Sequence, residues 1–276
     1  MSVKYGTDYQ INRRVAGTPD TFFPLGGTVY DAALDPSASI VTEVGCGEGA
    51  RTIATQKIVS AKPSLQWTMN LRKLSDYITA YAMITAEGAV PAHDLAVKIG
   101  SEYHILGDSK VNTCRITIRQ LESIKAAVEV LAKTRVDGAS WTFEKATDNA
   151  MWKDALTVLT LGGTSITKWQ EVEFGVDNKV AQEILGTDIL PTEVHEREAV
   201  YTGHIVRAVS GTTEIADVLA GTTKTVVLTL TDNQATPVAK TFTFADAYLK
   251  TSRVSARGLE MIVERIDWNA KTMVIS

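Results

Sequence analysis

The feature that most constrains this 276-residue chain is an internal repeat. Glu102–Lys133 aligns without a gap on Lys240–Lys271, an offset of 138, half the chain length. Nine of the 32 positions are identical: Asp108/Asp246, Thr113/Thr251, Arg115/Arg253, Arg119/Arg257, Leu121/Leu259, Glu122/Glu260, Ile124/Ile262, Ala132/Ala270 and Lys133/Lys271. Unrelated segments of ordinary composition would share about two. Two shorter matches suggest that the repeat reaches further forward. Leu25-Gly26-Gly27-Thr28 resembles Leu161-Gly162-Gly163-Thr164 at an offset of 136, and Trp67-Thr68 resembles Tyr201-Thr202 at 134. The expected division is one domain over residues 1–135 and another over 136–276, with the boundary in the polar stretch Thr134–Gly138.

Each half reads as mostly strand with one short helix. In the second half, Ala155–Leu161, Ile166–Val176, Val200–Val209, Thr225–Leu230, Thr241–Phe244 and Met261–Ile266 are β-rich. Thr213–Leu219 reads as a helix stopped by Gly221. In the first half, Ser75 caps an expected helix from Asp76 to about Thr85, with Gly88 beyond it. Asp94–Ile99, Arg115–Arg119 and Ala127–Leu131 are expected strands. The fold class is mainly β with some α: two β-sandwiches or open barrels, each with a flanking helix and a long loop. The loops are Asp31–Gln56 and Asp177–Glu196, where periodicity is weak. Long loops in a compact domain are usually functional or ordered against a partner.

Order and pattern in the second half resemble the phage tail tube proteins. The carrying residues are Trp169–Asn178, Leu185-Gly186-Thr187-Asp188, Pro191-Thr192-Glu193-Val194, and the strand Ala199–Val209 with its helix. The resemblance implies a structural virion protein, not an enzyme, located in the virion tail and made in a host cytoplasm. It implies units that close as a six-unit ring, with rings stacking into a hollow tube that conducts DNA. Two units per chain would close as a pseudohexameric trimer. The implied partners are further copies of the chain, a tape-measure protein, and tail tip or terminator proteins. Asp177, Asn178, Leu185, Gly186, Asp188, Pro191 and Glu193 then belong to a ring-stacking loop. A hub or a terminator of the same fold is the alternative.

The duplicated charges are candidate interface or lumen residues. Arg115 and Arg119, like Arg253 and Arg257, lie four apart and share a strand face, where Asp108, Glu122, Asp246 and Glu260 can pair with them. A net charge of −4 provides no basic surface for gripping nucleic acid, and DNA is expected to pass without sequence-specific binding. Cys46 and Cys114 stand apart from any second thiol, so neither a disulfide framework nor a thiolate metal site is expected. No membrane span is expected, since no stretch approaches the ~18 apolar residues one needs. The N-terminus lacks a signal-peptide apolar core.

One stretch points elsewhere. Glu43-Val44-Gly45-Cys46-Gly47-Glu48-Gly49 resembles the glycine-rich turn with which class I methyltransferases hold S-adenosylmethionine. The ribose-binding acid expected some 20 residues on is missing, because the next acid is Asp76. Alternating βα units are missing too, so no cofactor is expected. Glu193, His195, Glu196 and Glu198 read as a surface charge run rather than a metal site. The five tryptophans read as core or interface anchors.

Overall fold

A computed structural model describes residues 9–15, 23–24, 27–35, 39–44, 53–74, 90–138, 150–186, 188–209, 213–255 and 262–276. The fold is mainly β. The expected first-half helix and Cys46 lie outside the described residues.

The first half contains β1 (Tyr9–Val15), β2 (Phe23–Pro24), β3 (Gly27–Asp35), β4 (Ser39–Val44), β5 (Ile53–Ser60), β6 (Ser64–Leu71), β7 (His93–Ile99), β8 (Glu102–Arg119), β9 (Lys125–Leu131) and β10 (Thr134–Asp137). The second contains β11 (Leu156–Leu161), β12 (Thr164–Ser165), β13 (Trp169–Asp177), β14 (Ala181–Glu183), β15 (Glu193–His195), β16 (Val200–Ala208), α1 (Thr213–Ala220), β17 (Thr223–Thr231), β18 (Ala239–Ser255), β19 (Val263–Ala270) and β20 (Thr272–Ile275). Every strand pairing among them is antiparallel.

The pairings of the first half recur in the second, register for register. Lys110↔Leu131 and Cys114↔Val128 return at 138 residues' distance as Tyr248↔Asn269 and Ser252↔Ile266. Gly107↔Thr134 returns as Ala245↔Thr272. The irregularities recur too: the shift between Val29 and Asp31 in β3·β6 is matched by the shift between Trp169 and Glu171 in β13·β16.

These registers correct both short alignments. Trp67 pairs with Val128, and the residue paired with the equivalent Ile266 is Ile205, so Trp67 corresponds to Ile205 and not to Tyr201. Leu161–Thr164 forms the turn between β11 and β12, whereas Leu25–Thr28 follows β2 and enters β3, so that match is coincidental. The boundary stretch is also no loose linker: Thr134–Asp137 is a strand paired with β8, and Gly138 with φ 88° ends it.

The pivots of the architecture are Asp108 and Asp246. Each sits inside a long strand with a left-handed backbone, φ 48° and 49°. At each, the strand shifts register against its neighbour: β8 against β7 between Ser109 and Leu106, and β18 against β17 between Ala247 and Phe244. Aspartate tolerates this conformation better than a branched residue would, and a bulge bends the strand. The first part of β8 therefore lies between β7 and β10, and its second part between β9 and β13. Asp94 Oδ1 accepts the Asp108 amide at 3.1 Å, and Arg14 Nε donates to Asp94 Oδ2 at 2.9 Å.

One continuous core fills the interior. In the second half it centres on Phe174, Phe242, Phe244 and Trp268, with Phe244 and Trp268 centroids 4.6 Å apart and Phe174 and Phe242 4.9 Å apart. Contacts of this kind contribute roughly 0.5–1.5 kcal/mol beyond area burial. In the first half it uses Leu65, Trp67, Met69, Leu71, Ile116 and Val128.

His93, at the start of β7, is buried beside Arg13. Burial first, then the Arg13 charge, lowers its pKa from 6.5 to about 4. The imidazole is held neutral in the fold, while the unfolded chain protonates near pH 6.5. Stability is therefore whole above pH 6.5, falls as pH drops toward 4, and stops falling from this source below that. The full loss is about 3 kcal/mol. Urea midpoints at pH 7, 5.5 and 4 should show it, and His93→Gln should flatten that part of the profile.

Candidate functional site: the joint between the halves

The residues singled out by the repeat meet where β13 pairs with the second part of β8. The register runs from Glu171↔Arg119 to Asp177↔Thr113. Alternation puts Cys114, Ile116 and Ile118 on the core face with Val172, Phe174 and Val176 opposite, all buried. The other face is polar. Arg119 Nη2 donates to Glu171 Oε1 at 2.9 Å, and Arg115 Nη1 lies 3.6 Å from Glu173 Oε1. The Glu171 hydrogen bond, then its charge, raises the Arg119 pKa above its usual value.

Within the chain these arginines pair across the joint, and the Glu122 charge adds to the field at Arg119. Asp108 is exposed at the strand bend. Glu122 is bound by Lys125 Nζ at 2.6 Å, and that hydrogen bond holds its pKa below the usual range. Arg253 is exposed; Arg257 and Glu260 lie outside the described residues. Sequence reasoning missed Glu171 and Glu173. Their spacing of two on a strand facing Arg119 and Thr117 is visible only once the register is known.

The long stretch after β13 is not a free loop. Asn178 is buried and its amide donates to the Asn112 carbonyl at 2.8 Å, while its Nδ2 donates to the Val111 carbonyl at 2.9 Å. Gln182 Nε2 donates to the Pro63 and Ala132 carbonyls, and the Ala61 amide to the Ile189 carbonyl at 2.7 Å. Lys110 Nζ meets Glu196 Oε2 at 2.5 Å. Burial pushes the Glu196 carboxyl up, but Lys110 and backbone donors outweigh it and leave its pKa lowered. The second-half arm, with its β14–β15 hairpin, is therefore a strap over the first half. Asp177 binds the Lys179 ammonium; Leu185, Gly186, Asp188 and Glu193 are exposed and Pro191 is buried. The first-half arm likewise contains a hairpin, β4–β5.

In that hairpin Val44 pairs antiparallel with Ile53, so the strand before the glycine-rich stretch leads to another strand. Gly45–Gly49 lie outside the described residues. Glu183, Glu193 and His195 bring ligand atoms within 4.8 Å of one another on the β14–β15 hairpin, with His195 Nε2 3.3 Å from Glu183 Oε1. Glu196 is instead engaged with Lys110. Among the tryptophans, Trp67 and Trp268 are buried core residues and Trp152 is 49% exposed. Among the described residues no helix is long and apolar enough to cross a membrane.

Among the described residues the second half has no counterpart of this joint within the chain. The β3 edge equivalent to β13 pairs only with β6 among the described residues, and the second part of β18 pairs only with β19. Exposure reflects it: Ile116 is 1% exposed, whereas its repeat partner Val254 is 49% exposed. The sequence matches no known family model, and no curated protein is significantly similar to it.

Proposed function

We propose that this chain is a structural ring subunit, a tail tube protein of a phage-like tail, with two tandem tube domains per chain. The observation that carries the reading is the β13·β8 joint together with the two unmatched edges that repeat it. Shifting the joint by the repeat offsets sets β3 of one copy against the second part of β18 of the next, with Leu34 facing Val254 and Asp35 facing Arg253. Asp35 then opposes Arg253, and Leu34 covers the exposed Val254. Charge complementarity of this kind fixes register and partner.

The contact is head-to-tail, so it generates a closed ring or an open helix. Closure pairs the β3 edge with the β18 edge and removes the aggregation hazard of leaving them open. Three chains supply the six units that the resemblance implies. The polar face of the joined strands then lines the hole. There Arg115 and Arg119 are engaged by Glu173 and Glu171, leaving no unbalanced cationic ladder to hold passing DNA.

Native mass spectrometry and negative-stain microscopy of the purified chain test the reading. Rings of three chains with a central hole are expected, and Asp35→Arg should dissociate them, with Arg253→Asp restoring them in the double variant. A wild-type chain that stays monomeric at all concentrations, with or without a tail-tip complex to nucleate assembly, would overturn it.

A further inference from the structure

The β14–β15 hairpin carries a conflict of charge. Glu183 and Glu193 stand directly opposite each other in its register, and His195 lies two residues beyond Glu193, opposite Ala181. Like charges placed directly opposite destabilise a strand pair. This pair has little stability to lose. Each strand has three residues, the two bond only to each other, and an isolated two-stranded hairpin is marginal in water. Among the described residues Glu193 has no ion-pair partner, and Glu183 meets only the His195 ring.

Strand alternation puts all three side chains on one face. His195 Nε2 lies 3.3 Å from Glu183 Oε1, and one ligand atom from each of the three residues falls within 4.8 Å of the others. Two donors bound at about 2.0 Å in a tetrahedral shell stand about 3.3 Å apart. The His195–Glu183 edge therefore already has the span of a coordination shell, and the exposed Glu193 carboxylate can complete it by a side-chain rotation. His195 is also singular among the four histidines: His93, His104 and His204 are buried, whereas 37% of the His195 side chain is open to solvent. Glu183 precedes Glu193 by ten residues in the chain, so only the folded hairpin brings it to the site.

We propose that Glu183, Glu193 and His195 bind a divalent transition ion of the zinc class. The imidazole selects such an ion over calcium or magnesium, which take oxygen ligands. Three protein ligands leave the fourth position to water. The two carboxylates balance the charge of the dication, and the ion in turn removes the repulsion between β14 and β15. It thereby clamps the middle of the strap, between the anchors that Gln182 and Glu196 make on the first half. One chain supplies all three ligands, so the site stands whether or not rings form.

Isothermal titration of the full chain with zinc chloride tests the site, with hydrogen exchange of the β14–β15 amides as a second readout. The wild-type chain should take up one zinc, and zinc should slow that exchange about tenfold or more. His195→Ala and Glu193→Gln should each weaken zinc binding about tenfold or more. Both residues are partly exposed, so the metal-free melting temperature should stay that of wild type. Without metal, the hairpin of Glu193→Gln should exchange no faster than that of wild type, because the opposed charge is gone. A wild-type chain that takes up no zinc would overturn the proposal. So would variants that bind zinc as tightly as wild type, or calcium that displaces zinc at equal concentration.

Discussion

Glu264→Ala is expected to destabilise the fold by about 3–5 kcal/mol, because it removes the buried carboxylate to which a buried cation is hydrogen-bonded. Arg207 on β16 faces Glu264 on β19, and the guanidinium donates through Nε at 3.1 Å and Nη2 at 3.0 Å to Glu264 Oε2. Arg207 is 5% exposed and Glu264 0%. Removing Glu264 takes away an acceptor of two guanidinium hydrogen bonds in a low-dielectric interior. The repeat supplies the control. At the equivalent positions of the first half, Met69 faces Ala126, both fully buried. The double variant Arg207→Met/Glu264→Ala copies that apolar pair and should unfold within about 1 kcal/mol of wild type, since a buried ion pair seldom outperforms well-packed apolar groups. Denaturant titration of the three proteins measures the difference. A Glu264→Ala single variant as stable as the double would show that the Arg207 charge is balanced without Glu264.

The sequence revealed the second part of each half and obscured the first, for a physical reason. Several identities between the halves fall on bends and turns of the first half: Asp108 at the bulge, and Leu121 with Glu122 at the β8–β9 turn. Backbone conformation and surface contacts restrict residue type there. Core positions are restricted only by summed volume, so Trp67 drifted to Ile205 and an aromatic match to Tyr201 misled the alignment by four residues. Strand periodicity located most elements because one face is dry and the other wet. The joint itself left no local signature. Glu171 and Arg119 are 52 residues apart in the chain, and their meeting depends on a register that only the folded sheet sets. The arm after β13 read as a loop because its hairpin strands are three residues each, too short for periodicity to emerge.

The same exchange of volumes yields the other large effect. Gly203 on β16 faces Trp268 on β19, and a Cβ there would stand 2.2 Å from Trp268 Cζ2 and 2.6 Å from the Glu173 carbonyl oxygen. Gly203→Leu alone should therefore cost about 3 kcal/mol or more, since neither an indole packed on Phe244 nor a strand backbone can retreat cheaply. Trp268→Val alone should cost about 3–5 kcal/mol by opening a cavity. In the first half the equivalent pair is Leu65 facing Val130, both buried. The double variant Gly203→Leu/Trp268→Val rebuilds that pair in the second half and should recover about 2 kcal/mol or more relative to the sum of the singles, a coupling typical of residues in direct contact. Thermal and denaturant unfolding of the four proteins closes the cycle. Strict additivity would mean that the two halves share a register without sharing a packing scheme. Recovery would show that this core layer is interchangeable between the halves.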